Sequence, residues 1–198
     1  MLDAHFWNQR YLSDNTGWDL GQVSPPIKSF IDHLENKAIK ILIPGCGNAH
    51  EAEYLLQKGF TNITLVDISE VAVNRLQKKF AGNNCIKILN EDFFAHEGTY
   101  NLIFEQTFFC AFHPSQREHY VKKMYNLLAA SGKLVGLLFN VEFDKDGPPF
   151  GGTEEEYRPI FKPWFRFKIF APCYNSIGPR MGTELFMYLE KRGLSKSS

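Results

Sequence analysis

The chain has 198 residues and sets 22 Lys plus Arg against 22 Asp plus Glu, so its formal net charge is zero. That balance lacks the basic excess of a nucleic-acid binder. Met1–Tyr11 has no apolar h-region, and the longest strongly apolar stretch, around Leu134–Phe139, is far short of a membrane span, so neither a secretory leader nor a membrane partner is expected.

In chain order, aromatic and polar residues alternate over Phe6, Trp7, Tyr11 and Trp18, which predicts a short helix and then a loop. Ser24 and Pro25 read as the N-cap and first position of a helix to about Glu35. Ile39–Ile43 is a β-branched strand that enters the turn Pro44-Gly45-Cys46-Gly47, and a helix from about Ala49 to Lys58 stops at Gly59. Asn62–Asp67 is a second strand, and Ser69 caps a helix bearing Val73, Leu76 and Phe80. Cys85–Leu89 and Tyr100–Thr107 are the third and fourth strands. Ser115–Ala130 has the period of an amphipathic helix, and Lys133–Phe139 is the fifth strand. Strand and helix alternate to this point, which implies a parallel sheet covered on both faces.

The pattern then changes. Asp144–Gly152 is a Gly/Pro-rich loop, and Thr153–Glu156 matches a capping box, so its acids start a helix rather than bind metal. Trp164–Ala171 and Thr183–Lys191 are late strands expected to form an antiparallel hairpin at the sheet edge. Lys191, Arg192 and Lys196 read as a solvated basic tail. The four cysteines, Cys46, Cys85, Cys110 and Cys173, contain no CxxC pair, so reduced thiols and no metal site are expected.

The chemistry starts at the glycine turn. A strand, Gly45 and Gly47, a helix and then Asp67 closing the second strand form a nucleoside-binding arrangement, with the acid placed for a ribose diol. A dinucleotide fingerprint wants a third glycine for close packing beside the pyrophosphate, and His50 stands there. S-adenosylmethionine has no pyrophosphate and tolerates a looser turn, so it is favoured over NAD(P). Asp92 and Phe93 offer a carboxylate and a ring for an adenine edge, or simply a polar turn followed by core phenylalanines. Phe104–Pro114 lacks the Asn/Asp-Pro-Pro-aromatic motif that holds planar amino groups in amino-methyltransferases. Cys110 and His113 look like a nucleophile and base, but a lone Cys between aromatics is more often a small buried hydrophobe. Arg180 could steer an anionic nucleophile or lie in a surface loop.

Taken in order, Trp7, Tyr11, Gly17–Gly21, Pro25, Ile43–Gly47, Val66–Ser69, Asp92–Phe94, Phe104–Pro114, Gly147–Phe150 and Pro179–Leu185 resemble the thiopurine S-methyltransferase-like family, within it the halide and thiol methyltransferases. The resemblance implies an α/β, doubly wound, Rossmann-like class I methyltransferase fold. Its sheet is mainly parallel and seven-stranded, with a late antiparallel strand, in a single domain over 1–198 whose residues 1–24 form an aromatic lid. It implies transfer of a methyl group from S-adenosylmethionine to a thiol, hydrosulfide, thiopurine or halide. The cofactor residues would be Trp7, Tyr11, Trp18, Gly45, Gly47, Asp67, Asp92, Phe93 and Gln106; Pro148, Pro149 and Phe150 would wall the acceptor, and Arg180 would meet its charge. Plant relatives have tryptophan at Tyr11 and Asp-Tyr at Glu105-Gln106. A non-catalytic S-adenosylmethionine-binding protein and an NAD(P)-dependent oxidoreductase are the alternatives. The expected setting is cytoplasmic, as a monomer or small homo-oligomer with a small-molecule substrate.

Overall fold

The computed structural model describes residues 2–193. Seven strands form one sheet: β1 (Ile41–Pro44), β2 (Ile63–Asp67), β3 (Ile86–Asn90), β4 (Tyr100–Gln106), β5 (Leu128–Phe139), β6 (Phe165–Pro172) and β7 (Glu184–Lys191). Their order is β3-β2-β1-β4-β5-β7-β6. The first five pair in parallel, and β7 runs antiparallel to both its neighbours. This is the doubly wound, mainly parallel class I methyltransferase architecture that the resemblance implies. The late pair is antiparallel as expected, but β7 inserts beside β5 and leaves β6 at the edge.

Six α-helices accompany the sheet: α1 (Ala4–Leu12), α2 (Pro25–Asp32), α3 (His50–Gln57), α4 (Glu70–Lys79), α5 (Arg117–Leu127) and α6 (Glu154–Phe161). β1 and β2 are buried along their whole length, as central strands covered on both faces must be. Side chains of alternate residues divide between two cores. Ile41 and Ile43 join Ile27, Ile31, Ala52 and Leu55 of α2 and α3. Leu42 joins Tyr120, Val121 and Met124 of α5 and Tyr157 and Phe161 of α6.

Several local signals operate as the sequence implies. Ser69 Oγ accepts the Ala72 N–H, and Thr153 and Glu156 make both bonds of the capping box. Three expectations need correction. The second helix ends at Asp32, because His33 turns its ring back onto the Ser29 carbonyl at 2.7 Å. The helix expected to reach Ala130 stops at Leu127, where Leu128 pairs with Tyr100 of β4. Tertiary pairing there outweighs the helix propensity of two alanines. The basic tail is structural in part: Lys191 ends β7, with its ammonium on the Leu128 carbonyl and over the Tyr125 ring, and Arg192 Nε donates to Phe165 O at 2.9 Å. Lys196 lies outside the described residues. Among the described residues no helix is long and apolar enough to cross a membrane.

The strand order reverses between β1 and β4. In open α/β sheets the crevice beyond the carboxyl ends at such a point is where ligands bind.

Candidate functional site

The turn after β1 sets the geometry of that crevice. Gly45 and Gly47 have φ of +57° and +52°, a region where a Cβ is strained. Gly45 is also sterically required, since a Cβ there would stand 2.0 Å from the Phe108 ring, which lies against the turn from the end of β4. A Cβ on Gly47 would sit 2.9 Å from the Tyr11 hydroxyl. The turn thus touches the N-terminal segment on one side and the β4 loop on the other.

Asp67, the last residue of β2, cross-braces this turn. Its Oδ2 accepts the Gly47 N–H at 2.9 Å and its Oδ1 accepts the Ser69 N–H at 2.8 Å. Burial pushes its carboxyl above the usual carboxylate range, against the opposing pull of those backbone donors. A carboxylate has roughly four acceptor positions, so two backbone donors leave others for a ligand's hydroxyl groups.

A cavity of about 360 Å³ opens beside Asp67, within the roughly 300–1,000 Å³ usual for small-molecule sites. Trp7, Tyr11 and Trp18 line it together with Gly45, Asp67, Asp92 and Phe93. Arg180, Pro148 and Pro149 line it as well. The Trp18 ring meets Trp7 and Tyr11 edge-on, at 5.5 and 5.8 Å between centroids. A smaller recess of about 50 Å³ adjoins it and shares Trp18, Gly45 and Thr107, with Gly47, His50, Glu51 and Gln106 in its lining.

The N-terminal segment is fastened over the crevice by polar contacts. Asn8 Oδ1 accepts from Ser69 Oγ at 2.7 Å and from the Val71 N–H at 3.2 Å, at the start of α4. Arg75 donates to the Tyr11 carbonyl at 2.9 Å. Asp19 bonds Asn48 and, at 2.7 Å, His50 Nε2. The histidine that replaces a third glycine therefore has a job of its own, which is to hold the segment that carries Trp18. Arg180 completes the attachment by donating to the Trp18 carbonyl at 2.7 Å; its other partner is buried Glu184 at 3.4 Å.

Three residues assigned to the site by sequence, Gly47, Gln106 and Phe150, do not border the larger cavity, and Gly47 lines the smaller recess. Gln106 faces the recess instead, where both amide atoms are buried and find no hydrogen-bond partner among the described residues. Phe150 borders neither space; its N–H donates to Cys110 O at 2.7 Å and its ring lies 5.4 Å from His113. Asp92 is exposed, and its Oδ1 accepts the Phe94 N–H at 2.9 Å; Phe93 is largely buried in a core cluster yet reaches the cavity. Cys110 borders the cavity, but His113 turns its Nδ1 to Ser115 Oγ at 2.8 Å, and burial pushes the thiol well up. The two form no nucleophile and base.

Sequence reasoning missed Thr107, which borders both spaces with φ of +55°, an outlier for a β-branched residue. No local pattern signals such a conformation. It also missed Glu105, whose buried Oε1 accepts the Phe108 and Phe109 N–H groups at 2.8 and 2.9 Å while Oε2 takes the Tyr120 hydroxyl. Glu105 thereby bends the loop that presses Phe108 onto Gly45. The isolated acid in an apolar strand is its only sequence signal.

These features fit S-adenosylmethionine. An unpartnered amide suits an amino-acid end, which has both a donor and an acceptor. A carboxylate with acceptor capacity to spare suits a ribose, and indole faces suit a sulfonium. Among the described residues no group of three or more His, Cys, Asp or Glu is placed to hold a metal ion.

A sequence profile described as thiopurine S-methyltransferase matches residues 2–180. The chain is 32% identical over 185 residues to a probable thiol methyltransferase 2 of Arabidopsis thaliana, covering 90% of this chain and 81% of that one. It is 29% identical, over the same shares, to thiocyanate methyltransferase 1 of Brassica oleracea. Among solved structures it resembles a Burkholderia thailandensis 1,6-didemethyltoxoflavin-N1-methyltransferase with bound S-adenosylhomocysteine. The TM-score is 0.75 at 17% identity, over 96% of this chain and 87% of the other, which is a likeness of fold.

Proposed function

Because the chain belongs to the thiopurine S-methyltransferase family, an S-adenosylmethionine-dependent group, we propose that it methylates a thiol, hydrosulfide, thiopurine or halide by aligning the reactants between the N-terminal indoles and the Gly45–Asp67 crevice. The observation that carries this reading is that Trp7, Tyr11 and Trp18 border one cavity with Gly45, Asp67, Asp92, Phe93 and Arg180. When bound, the cofactor supplies an electrophilic methyl carbon on a sulfonium.

This chain's residues do the positioning. Asp67 accepts from the ribose hydroxyls with the lone pairs its backbone donors leave. Asp92 and Phe93 face the adenine, one with a carboxylate and one with a ring. The backbone of Gly45 and Gly47 and the orphan amide of Gln106 take the amino-acid end. The indoles of Trp7 and Trp18 favour a cation and exclude water. Pro148 and Pro149 wall the acceptor, followed by Phe150 in the same loop, and Arg180 draws an anionic nucleophile toward the cavity.

No general base is required of this site. A thiolate or halide has no proton to lose, so the residues that would hold the cofactor and the acceptor need only orient them, and such positioning could supply roughly 7–11 kcal/mol of barrier reduction. In this reading residues 1–198 are one domain, 1–24 its lid, acting on a small molecule in the cytoplasm as a monomer or small homo-oligomer.

Methyl-labelled cofactor offered with hydrosulfide, alkyl thiols, thiopurines and iodide is the test. Label should move to at least one sulfur or halide acceptor, and Asp67→Ala should abolish that transfer at limiting cofactor. Tight cofactor binding with no transfer to any of them would leave the chain a binding protein only. Stabilisation by NADH and not by S-adenosylhomocysteine would remove the reading altogether.

A further inference from the structure

Arg117 is a buried charge that the proposed methyl transfer does not use. It is the first residue of α5 and only 5% exposed. Its guanidinium carbon lies 5.2 Å from the ring centroids of both Phe109 and Tyr157. Nη2 donates to the Gly151 carbonyl, and Nη1 stands 3.7 Å from Glu156 Oε2, which also accepts the Thr153 N–H at 3.2 Å. Nε is buried and has no hydrogen-bond partner among the described residues.

Three costs meet at this side chain. Burial strips the cation of its hydration. A cation in the first turn of a helix opposes the partial positive charge of the N-terminus. An orphaned buried N–H forfeits a bond to water. The carboxylate opposite offsets little of this, because the Glu156 side chain is 54% exposed and its charge is screened by solvent. Stability is therefore a poor reason for an arginine here, whereas geometry is a good one. Gly151 lies two residues beyond Pro149, and this stretch is tied down at three successive residues. Phe150 N–H donates to Cys110 O at 2.7 Å, Arg117 holds the Gly151 carbonyl, and Gly152 N–H donates to Val141 O at 3.0 Å. The middle tie is the charged one.

Resting on the assignment of Pro148 and Pro149 to the acceptor, we propose that Arg117 is a positioning residue for methyl transfer. It borders neither space, and it clamps the loop 147–152 so that the two prolines stand at a fixed distance from the reacting centre. Its planar fork suits the task, since it stacks on two rings while donating along its edge, which a lysine cannot do.

The test is Arg117→Met, which keeps a long unbranched side chain beside the two rings and removes the donors. Hydrogen exchange of the full chain, followed by mass spectrometry, should quicken over residues 147–152 about tenfold or more, the scale of one bond to a charged group, with residues 121–127 unchanged. With 6-mercaptopurine and iodide as probe acceptors, kcat/KM for the acceptor should fall about ten- to a hundredfold while the Kd for S-adenosylhomocysteine holds within about twofold. A folded variant with unchanged kcat/KM, or with an equal loss of cofactor affinity, is what a merely structural arginine gives, and it overturns the proposal. Unchanged exchange over 147–152 overturns it as well. If Arg117→Met fails to fold, Arg117→Lys, which keeps the charge without the fork, carries the same measurements with the same expected directions. Wild type that transfers to neither probe strikes the proposed function instead, and the clamp then stands or falls on the exchange result.

Discussion

Gly45→Ala separates the close approach at the switch point from ordinary backbone strain. Two costs add at this position. A non-glycine residue at φ +57° pays roughly 1–2 kcal/mol for the left-handed conformation. The new Cβ also falls 2.0 Å from the Phe108 ring, which has to move although Glu105 pins its backbone and Phe93 packs on it edge-on at 5.2 Å. Overpacking of this kind costs about 1–3 kcal/mol. Together these give about 2–5 kcal/mol, or a Tm lower by roughly 4–20 °C for a chain of this size. Gly59→Ala is the matched control: φ is +83° and a Cβ there would meet nothing within 4 Å, so only the backbone cost applies, roughly 2–8 °C. Thermal unfolding of the two variants should therefore differ by about 2–12 °C, and only Gly45→Ala should weaken S-adenosylhomocysteine binding. Equal melting temperatures, or equal ligand affinity in both, would refute the reasoning.

Further outcomes follow from the same geometry. Residues 1–20 should gain protease resistance when S-adenosylmethionine or its demethylated product binds, because their aromatic rings border the cavity; cleavage at an unchanged rate contradicts the lid. Burial pushes the Glu105 carboxyl up to about 7 from an ordinary 4.5. Its folded form binds a proton more tightly than its unfolded form, so its contribution to stability is largest below about 4.5 and is lost as pH rises toward about 7. Urea midpoints should fall over that window, and Glu105→Gln should flatten the fall. Arg180→Leu removes a charged partner from the acceptor side and should raise the acceptor KM about ten- to a hundredfold, the scale of one or two bonds to a charged group. A variant with unchanged KM and only a lowered Tm would make this arginine a strap for Trp18 and nothing more.

Much of the fold and the site is legible in the residues because it depends on local rules. The apolar run before Gly45, the acid closing β2 and the capping box at Thr153 each signal their element within a few positions. What stays hidden depends on distant pairing. Phe108 fills the space a side chain at Gly45 would need, 63 residues earlier in sequence, and no periodicity announces it. Arg180 reaches the Trp18 carbonyl across 162 positions, so its cavity location can be expected from a family resemblance but its role as an attachment cannot. The start of β5 at Leu128 reads as helix in sequence because Ala129 and Ala130 favour helices locally, while the partner at Tyr100 decides the outcome. Gln106 faces the recess and not the main cavity, a division of space that its position at the end of β4 does not announce. Lys191 has the sequence setting of a surface charge, yet β7 places its ammonium over the Tyr125 ring, 4.5 Å from the centroid.

The proposed function has the indoles of the first twenty residues lie against whatever occupies the space beside Asp67. The chain has three tryptophans, and Trp164 packs instead on Tyr125 at 5.0 Å. In a Trp164→Phe variant all indole emission comes from Trp7 and Trp18, so titration with S-adenosylhomocysteine should change that emission in step with binding followed by calorimetry. Full calorimetric binding with constant emission would put the ligand elsewhere and contradict the central claim.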